Sequence, residues 1–136
     1  MNPHTIGDST FPTILIVQEK IVKIGSDSLI LTLFNKVYIS QKQNKIVLSW
    51  IQQNQPNLII LELNKSLEEN CSSLITLLRS DWLTRDIPIV VTGNSFVLRA
   101  IKNLDYNTFL KTPYSSRELE KVVCSLTHLS ACKVFA

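Results

Sequence analysis

The sequence predicts an α/β domain, a three-layer sandwich in which a parallel five-stranded sheet carries five helices on its two faces. Three observations point there. Short apolar runs rich in β-branched residues recur along the chain, at Thr13-Ile14-Leu15-Ile16-Val17, Leu58-Ile59-Ile60-Leu61 and Ile89-Val90-Val91. They show no polar alternation, as expected of strands buried on both faces. Segments with apolar residues at helical spacing separate them, and this alternation is the pattern of a covered parallel sheet. Finally, 136 residues that are 45% hydrophobic suffice for one domain with its own core.

The elements follow in order. Met1 to Pro12 is polar and reads as a flexible arm, with the domain over residues 13–130 and a tail over 131–136. Thr13 to Val17 is the first strand. A helix is expected to begin near Asp27, after Gly25, with Leu29, Ile30, Leu33 and Phe34 turned inward. Val37-Tyr38-Ile39 is the second strand, and Asn44 to Asn54 is a helix with Val47, Trp50 and Ile51 on one face. Asn57 to Leu61 is the third strand, entered through Pro56 and left through Glu62. A third helix runs from about Ser72 to Arg79, with Leu74, Leu77 and Leu78 inward. Ile89 to Val91 is the fourth strand. Asn94 or Ser95 caps a short fourth helix over Phe96, Val97, Ala100 and Ile101. Thr108-Phe109-Leu110 is the fifth strand. Ser115-Ser116-Arg117-Glu118 is a capping box opening a last helix with Leu119, Val122, Val123 and Leu126 on one side. Right-handed crossovers favour the flavodoxin-like strand order 2-1-3-4-5.

Composition excludes several functions. The net charge is only +3 and the Lys and Arg residues are scattered, so direct nucleic-acid binding is not expected. No apolar stretch reaches the ~20 residues of a membrane span. Met1 to Pro12 lacks the basic and apolar regions of a signal peptide. Cys71, Cys124 and Cys132 lie far apart without a CxxC pair, which favours reduced thiols in a cytoplasmic protein over a metal or redox site. His4 and His128 read as surface residues. Trp50 and Trp82 read as packing residues rather than ligand stackers.

Across residues 13 to 127 the chain resembles the receiver domain of bacterial two-component response regulators. The resemblance rests on Ile14-Leu15-Ile16-Val17 followed by polar residues and on Pro56-Asn57-Leu58-Ile59-Ile60-Leu61 followed by an acid. It also rests on Leu78-Arg79-Ser80-Asp81 running to Asp86-Ile87-Pro88, and on Pro113-Tyr114 followed by Leu119. In that family two acids after the first strand hold Mg²⁺, and an aspartate ending the third strand accepts the phosphoryl group. A Ser or Thr after the fourth strand and a Lys after the fifth respond to it. The resemblance carries these roles to Gln18 and Glu19, to Glu62, to Thr92 (or Gly93) and to Thr112.

Almost every position departs from the family pattern. Gln18 lacks a charge, Glu62 is a methylene longer than aspartate, Thr92 follows Pro88 one residue early, and Thr112 stands where the lysine belongs. Lys111 is one position away and should point to the opposite face of its strand. The loop after the third strand carries an extra residue, with Ser66 and Asn70 or Cys71 in place of the family's proline and glycine. Phosphoryl transfer depends on positioning and charge neutralisation, so these changes argue against ordinary aspartate phosphorylation. The pattern resembles the atypical or pseudo-receiver subclass known from cyanobacterial signalling and clock proteins.

Glu62 then has three readings: a solvated relic, a fixed charge imitating a phosphorylated aspartate, or a divalent-cation ligand beside Glu19. A flavodoxin-type FMN carrier is disfavoured, because Gln18-Glu19-Lys20-Ile21-Val22 has no hydroxyl- and glycine-rich phosphate loop. No cofactor is expected, and no enzyme activity; the alternative is a receiver that retains weak divalent-metal, phosphoryl or small-ligand binding in the altered pocket. The resemblance implies signalling through the face made by the fourth helix, fifth strand and fifth helix, here Phe96, Arg99, Lys102, Phe109, Tyr114, Arg117 and Lys121. Its mild positive charge suits an acidic protein partner such as a sensor kinase, a regulator or a clock component, and a dimer through the same face is open. No output domain is expected after Ala136, so transcriptional effects would run through the partner.

Overall fold

The computed structural model describes residues 11–40, 43–63 and 68–128, the side chains of residues 68–71 excepted. The N-terminal arm before Phe11, His4, Ser66, Cys132 and the tail over 131–136 lie outside the described residues. Five strands form one parallel sheet in the order β2-β1-β3-β4-β5: β1 Thr13–Gln18, β2 Asn35–Ser40, β3 Leu58–Glu62, β4 Ile89–Gly93 and β5 Thr108–Lys111. Among the described residues four helices follow the strands: α1 Asn44–Asn54, α2 Glu68–Ser80, α3 Ser95–Ile101 and α4 Ser116–Thr127.

The alternation of strand residues builds two cores. Leu15, Val17, Ile59, Leu61, Ile89 and Val91 face α1, α2 and α3 through Val47, Ile51, Leu74, Ile75, Leu78, Val97 and Ile101. Ile14, Ile16, Leu58, Ile60 and Val90 face the other way, toward Ile30, Leu31, Phe34 and the α4 residues Leu119 and Val123. The fully buried β3 run Leu58-Ile59-Ile60-Leu61 feeds both cores, which is why its four residues are all apolar.

The expected first helix is absent. Residues 21–34 form turns that end in one 3-10 turn over Leu31–Leu33. Gly25 takes a left-handed conformation with φ +68°, and a Cβ there would stand 2.5 Å from Leu31 Cδ1. Only glycine allows that close approach. Ser28 Oγ accepts from the Leu31 backbone N–H at 3.2 Å and donates to Glu120 on α4 at 2.6 Å. The Thr32 hydroxyl donates to the Leu29 carbonyl at 2.5 Å. Side chains that bond nearby backbone in this way compete with helix formation, and too few residues remain between Gly25 and β2 for a stable helix. The expected inward set changes accordingly: Leu31 is buried and Leu29 is 82% exposed.

Three further expectations are corrected. Leu77 is 40% exposed and Ile75 takes its place in the core, because Leu74, Ile75 and Leu78 share one face of α2 at about 100° per residue and Leu77 falls at its edge. Trp50 packs against the core, but Trp82, in the turn after α2, is 76% exposed and is no packing residue. Cys124 is disulfide-bonded, so the expectation of reduced thiols does not hold for it. The α4 capping box is complete: Ser115 Oγ accepts from Glu118 N at 3.1 Å and Glu118 Oε1 accepts from Ser115 N at 3.2 Å. Asn94, rather than Ser95, caps α3 by accepting from Val97 N at 3.0 Å.

Candidate functional site: a clamped carboxylate at the carboxyl end of the sheet

Open parallel sheets place their sites beyond the carboxyl ends of their strands. Gln18 closes β1 and Glu62 closes β3, and Thr92 on β4 is paired directly with Glu62. Alternation puts all three side chains on the α4 side of the sheet, in step with Ile14 and Ile16, Leu58 and Ile60, and Val90. They line an open cleft of about 410 Å³ together with Glu19, Lys20, Leu63, Thr112 and Tyr114. All five residues of the degenerate pocket inferred by resemblance therefore stand together. Thr92, which counts as one residue early along the chain, is opposite Glu62 in space and 1% exposed.

The Glu62 carboxylate is held at both oxygens. Gln18 Nε2 donates to Oε2 at 2.8 Å, and the Tyr114 hydroxyl donates to Oε1 at 2.7 Å. Gln18 is itself fixed, donating from Nε2 to the Val22 carbonyl at 2.8 Å and accepting from Val22 N at Oε1 at 3.1 Å. Its 2% exposure is compatible with an amide because the amide's bonds are made. Burial, and then the hydrogen bond and the negative charge of Glu62, push the Tyr114 phenol well above its ordinary value, so the hydroxyl remains a donor.

Tyr114 was expected on the interaction face. The structure turns it into the cleft instead, where it packs against the α4-side core as a half-buried residue. Its role is invisible in the sequence because no local spacing links residues 62 and 114. Lys20 and Leu63 also line the cleft, and no sequence motif marks them. Thr112 is exposed, with its backbone N–H donating to Gly93 O at 2.8 Å, and the Thr112–Pro113 peptide is cis. Lys111 is exposed and outside the cleft lining. The backbone at Gly93 approaches α3 closely: a Cβ there would meet Val97 at 3.0 Å and the Leu63 carbonyl at 3.3 Å.

The residues do not fit the Mg²⁺ of the receiver family. Such an ion wants oxygens in near-octahedral geometry, chiefly from carboxylates. Gln18 stands where one acid belongs and turns an N–H donor toward Glu62, leaving Glu19 and Glu62 as the carboxylates that line the cleft among the described residues. Among the described residues no group of three or more His, Cys, Asp or Glu side chains is gathered to hold a metal. Away from the cleft, Phe96 and Arg99 on α3, Lys102 just after it, and Arg117 and Lys121 on α4 are exposed. Phe109 is half-buried against the α1–α3 core, as an ordinary core aromatic would be. No helix among the described residues is long and apolar enough to cross a membrane.

No protein-family model matches the chain, and no curated protein matches it. Solved structures do. The chemotaxis response regulator CheY4 of Vibrio cholerae is 16% identical, with a TM-score of 0.68 over 86% of this chain and 99% of that one. The receiver domain of a signal transduction histidine kinase from Syntrophus aciditrophicus is 17% identical, with a TM-score of 0.67 over 86% and 90%. The receiver domain of a sensor histidine kinase from Pseudomonas aeruginosa, solved with a magnesium ion in its active-site cleft, is 14% identical, with a TM-score of 0.64 over 88% and 99%. At these identities the similarity speaks for architecture: the chain has the fold of response-regulator receiver domains.

Proposed function

We propose that this chain is a pseudo-receiver, a signalling module that works by protein–protein interaction without being phosphorylated. The observation that carries the reading is the clamp on Glu62. At the position of the phosphoacceptor stands a carboxylate whose two oxygens already accept from Gln18 and Tyr114. A nucleophilic oxygen must be free to meet the phosphorus in line, with cations to neutralise the moving charge. Here each oxygen is oriented by a fixed donor and sits a methylene beyond the position an aspartate would take, Gln18 removes a metal ligand, and Lys111 lies outside the cleft. The module carries no catalytic centre under this reading. It docks a sensor kinase, regulator or clock component through the face of α3, β5 and α4, where Arg99, Lys102, Arg117 and Lys121 favour an acidic surface. The interaction belongs to a two-component or clock-type pathway in the cytoplasm.

The test is a phosphodonor titration. Acetyl phosphate with Mg²⁺, followed by intact-mass spectrometry and amide NMR, is expected to give no phosphoryl adduct and no shifts along β5 and α4. Beryllofluoride with Mg²⁺ is expected to leave the Glu62 and Thr92 amides in place. A saturable change at those amides with either reagent overturns the reading.

A further inference from the structure

The clamp leaves a specific chemistry unused. The Gln18 amide has spent its Nε2 on Glu62 and on the Val22 carbonyl, and its Oε1 on the Val22 N–H. Tyr114 has spent its hydroxyl hydrogen on Glu62. Each Glu62 oxygen, with one bond made, keeps further lone-pair capacity. Thr92 is the second observation. Its side chain is 1% exposed and lines the cleft, yet among the described residues no group hydrogen-bonds its hydroxyl. A buried hydroxyl in a native fold ordinarily has a partner.

Thr92 and Glu62 are register partners on adjacent strands. Neighbouring strands lie about 4.8 Å apart, so one nitrogen seated over the two strand ends reaches both side chains at hydrogen-bonding distance. Among the described residues the lining carries two carboxylates, Glu19 and Glu62, against one ammonium, Lys20, a formal charge of −1. A donor-rich cation fits that balance. An anion would face the carboxylates, and a divalent metal would lack the oxygen ligands it needs. We propose that this cleft binds a small organic ammonium ion, a primary amine whose N–H groups go to Glu62 and to the Thr92 hydroxyl, with the Thr112 hydroxyl in reach of a second polar group on the ligand. At about 410 Å³ the cleft is within the range of small-molecule sites. Binding here is independent of whether a protein docks on the face of α3, β5 and α4, because the two are read at different residues.

The experiment is an amide NMR titration of the whole chain with ethanolamine, with tetramethylammonium as a cation of equal charge but no N–H donors and acetate as an anion. Ethanolamine is expected to give saturable shifts at Glu62, Leu63, Thr92 and Gly93, and the two controls none. Glu62→Gln removes the charge and is expected to weaken ethanolamine binding at least about tenfold, the scale of one charge-assisted hydrogen bond. Thr92→Val is expected to weaken it several-fold, and Thr92→Ser, which keeps the hydroxyl, to retain it. Absence of saturable shifts with ethanolamine, equal shifts with tetramethylammonium, preferential binding of acetate, or unchanged affinity in Glu62→Gln each overturns the proposal.

Discussion

At the scale of single residues, Tyr114 decides how the Glu62 carboxylate is held. It reaches across 52 positions of sequence to donate to Oε1, and the contact raises its own pKa through burial and the neighbouring charge. The neutral phenol is therefore favoured in the fold. That contribution to stability is fully present below the ordinary phenol value, near 10, and is lost as the pH rises through the raised folded value. The difference in alkaline ultraviolet titration between wild type and Tyr114→Phe isolates this phenol. Its transition is expected well above the ordinary value, or only as the chain unfolds. A transition at the ordinary value in the folded protein would show that the hydroxyl is not clamped to Glu62. Tyr114→Phe should also cost roughly 1 to 2 kcal/mol in denaturant unfolding, since it removes one hydrogen bond to a charged group.

At the scale of elements, what was legible in the sequence is what local chemistry determines. The α4 boundary follows from Ser115 and Glu118, which cap each other three residues apart. The buried strands follow from runs that no half-exposed strand would carry. Leu29, Ile30, Leu33 and Phe34 fit a helical period, yet no helix forms there, because Gly25 and the Ser28 contact to Glu120 fix the chain by tertiary means. The candidate pocket was legible only by resemblance. Its clamp was not, because it joins β1, β3 and the loop before α4. The same holds for Arg79 at the end of α2. Its guanidinium donates to the carbonyls of Asp105, Arg85 and Ile87 and to Asn107 Oδ1, all at 2.8–2.9 Å, joining the turns before β4 and β5. Asn107 Oδ1 also accepts from Ile89 N at 2.8 Å, tying in the first residue of β4. The nearby Asp105 carboxylate, 83% exposed at 3.7 Å, adds little. Planar, many-pronged donation is what lysine lacks. Arg79→Lys is expected to destabilise by about 1 to 3 kcal/mol in urea unfolding at constant m-value. A change under half a kcal/mol would mean that the fork is not holding the turns.

At the scale of the whole molecule the two faces of the sheet are unequally covered. Three helices lie on one side, whereas the other has α4 and the 3-10 segment where a fifth helix was expected. The consequence falls on β2, an edge strand whose six residues are all only half-buried, while β4 is buried throughout and β3 over its first four residues. Amides whose covering is thin open through smaller, cheaper fluctuations than amides released only by global unfolding. Under native conditions hydrogen exchange is therefore expected to be faster along Asn35–Ser40 than along β1, β3 and β4, and the central strands should exchange near the free energy of global unfolding. The half-covered side is also where Gln18, and hence the clamp, is anchored through Val22 in the loop that replaces the helix. Opening of the β2 edge should thus accompany loosening of Gln18, and the Val22 amide should exchange with the β2 group rather than with β3. Protection of β2 equal to that of β3, or a Val22 amide as slow as Leu61, would show that the unequal coverage has no energetic consequence.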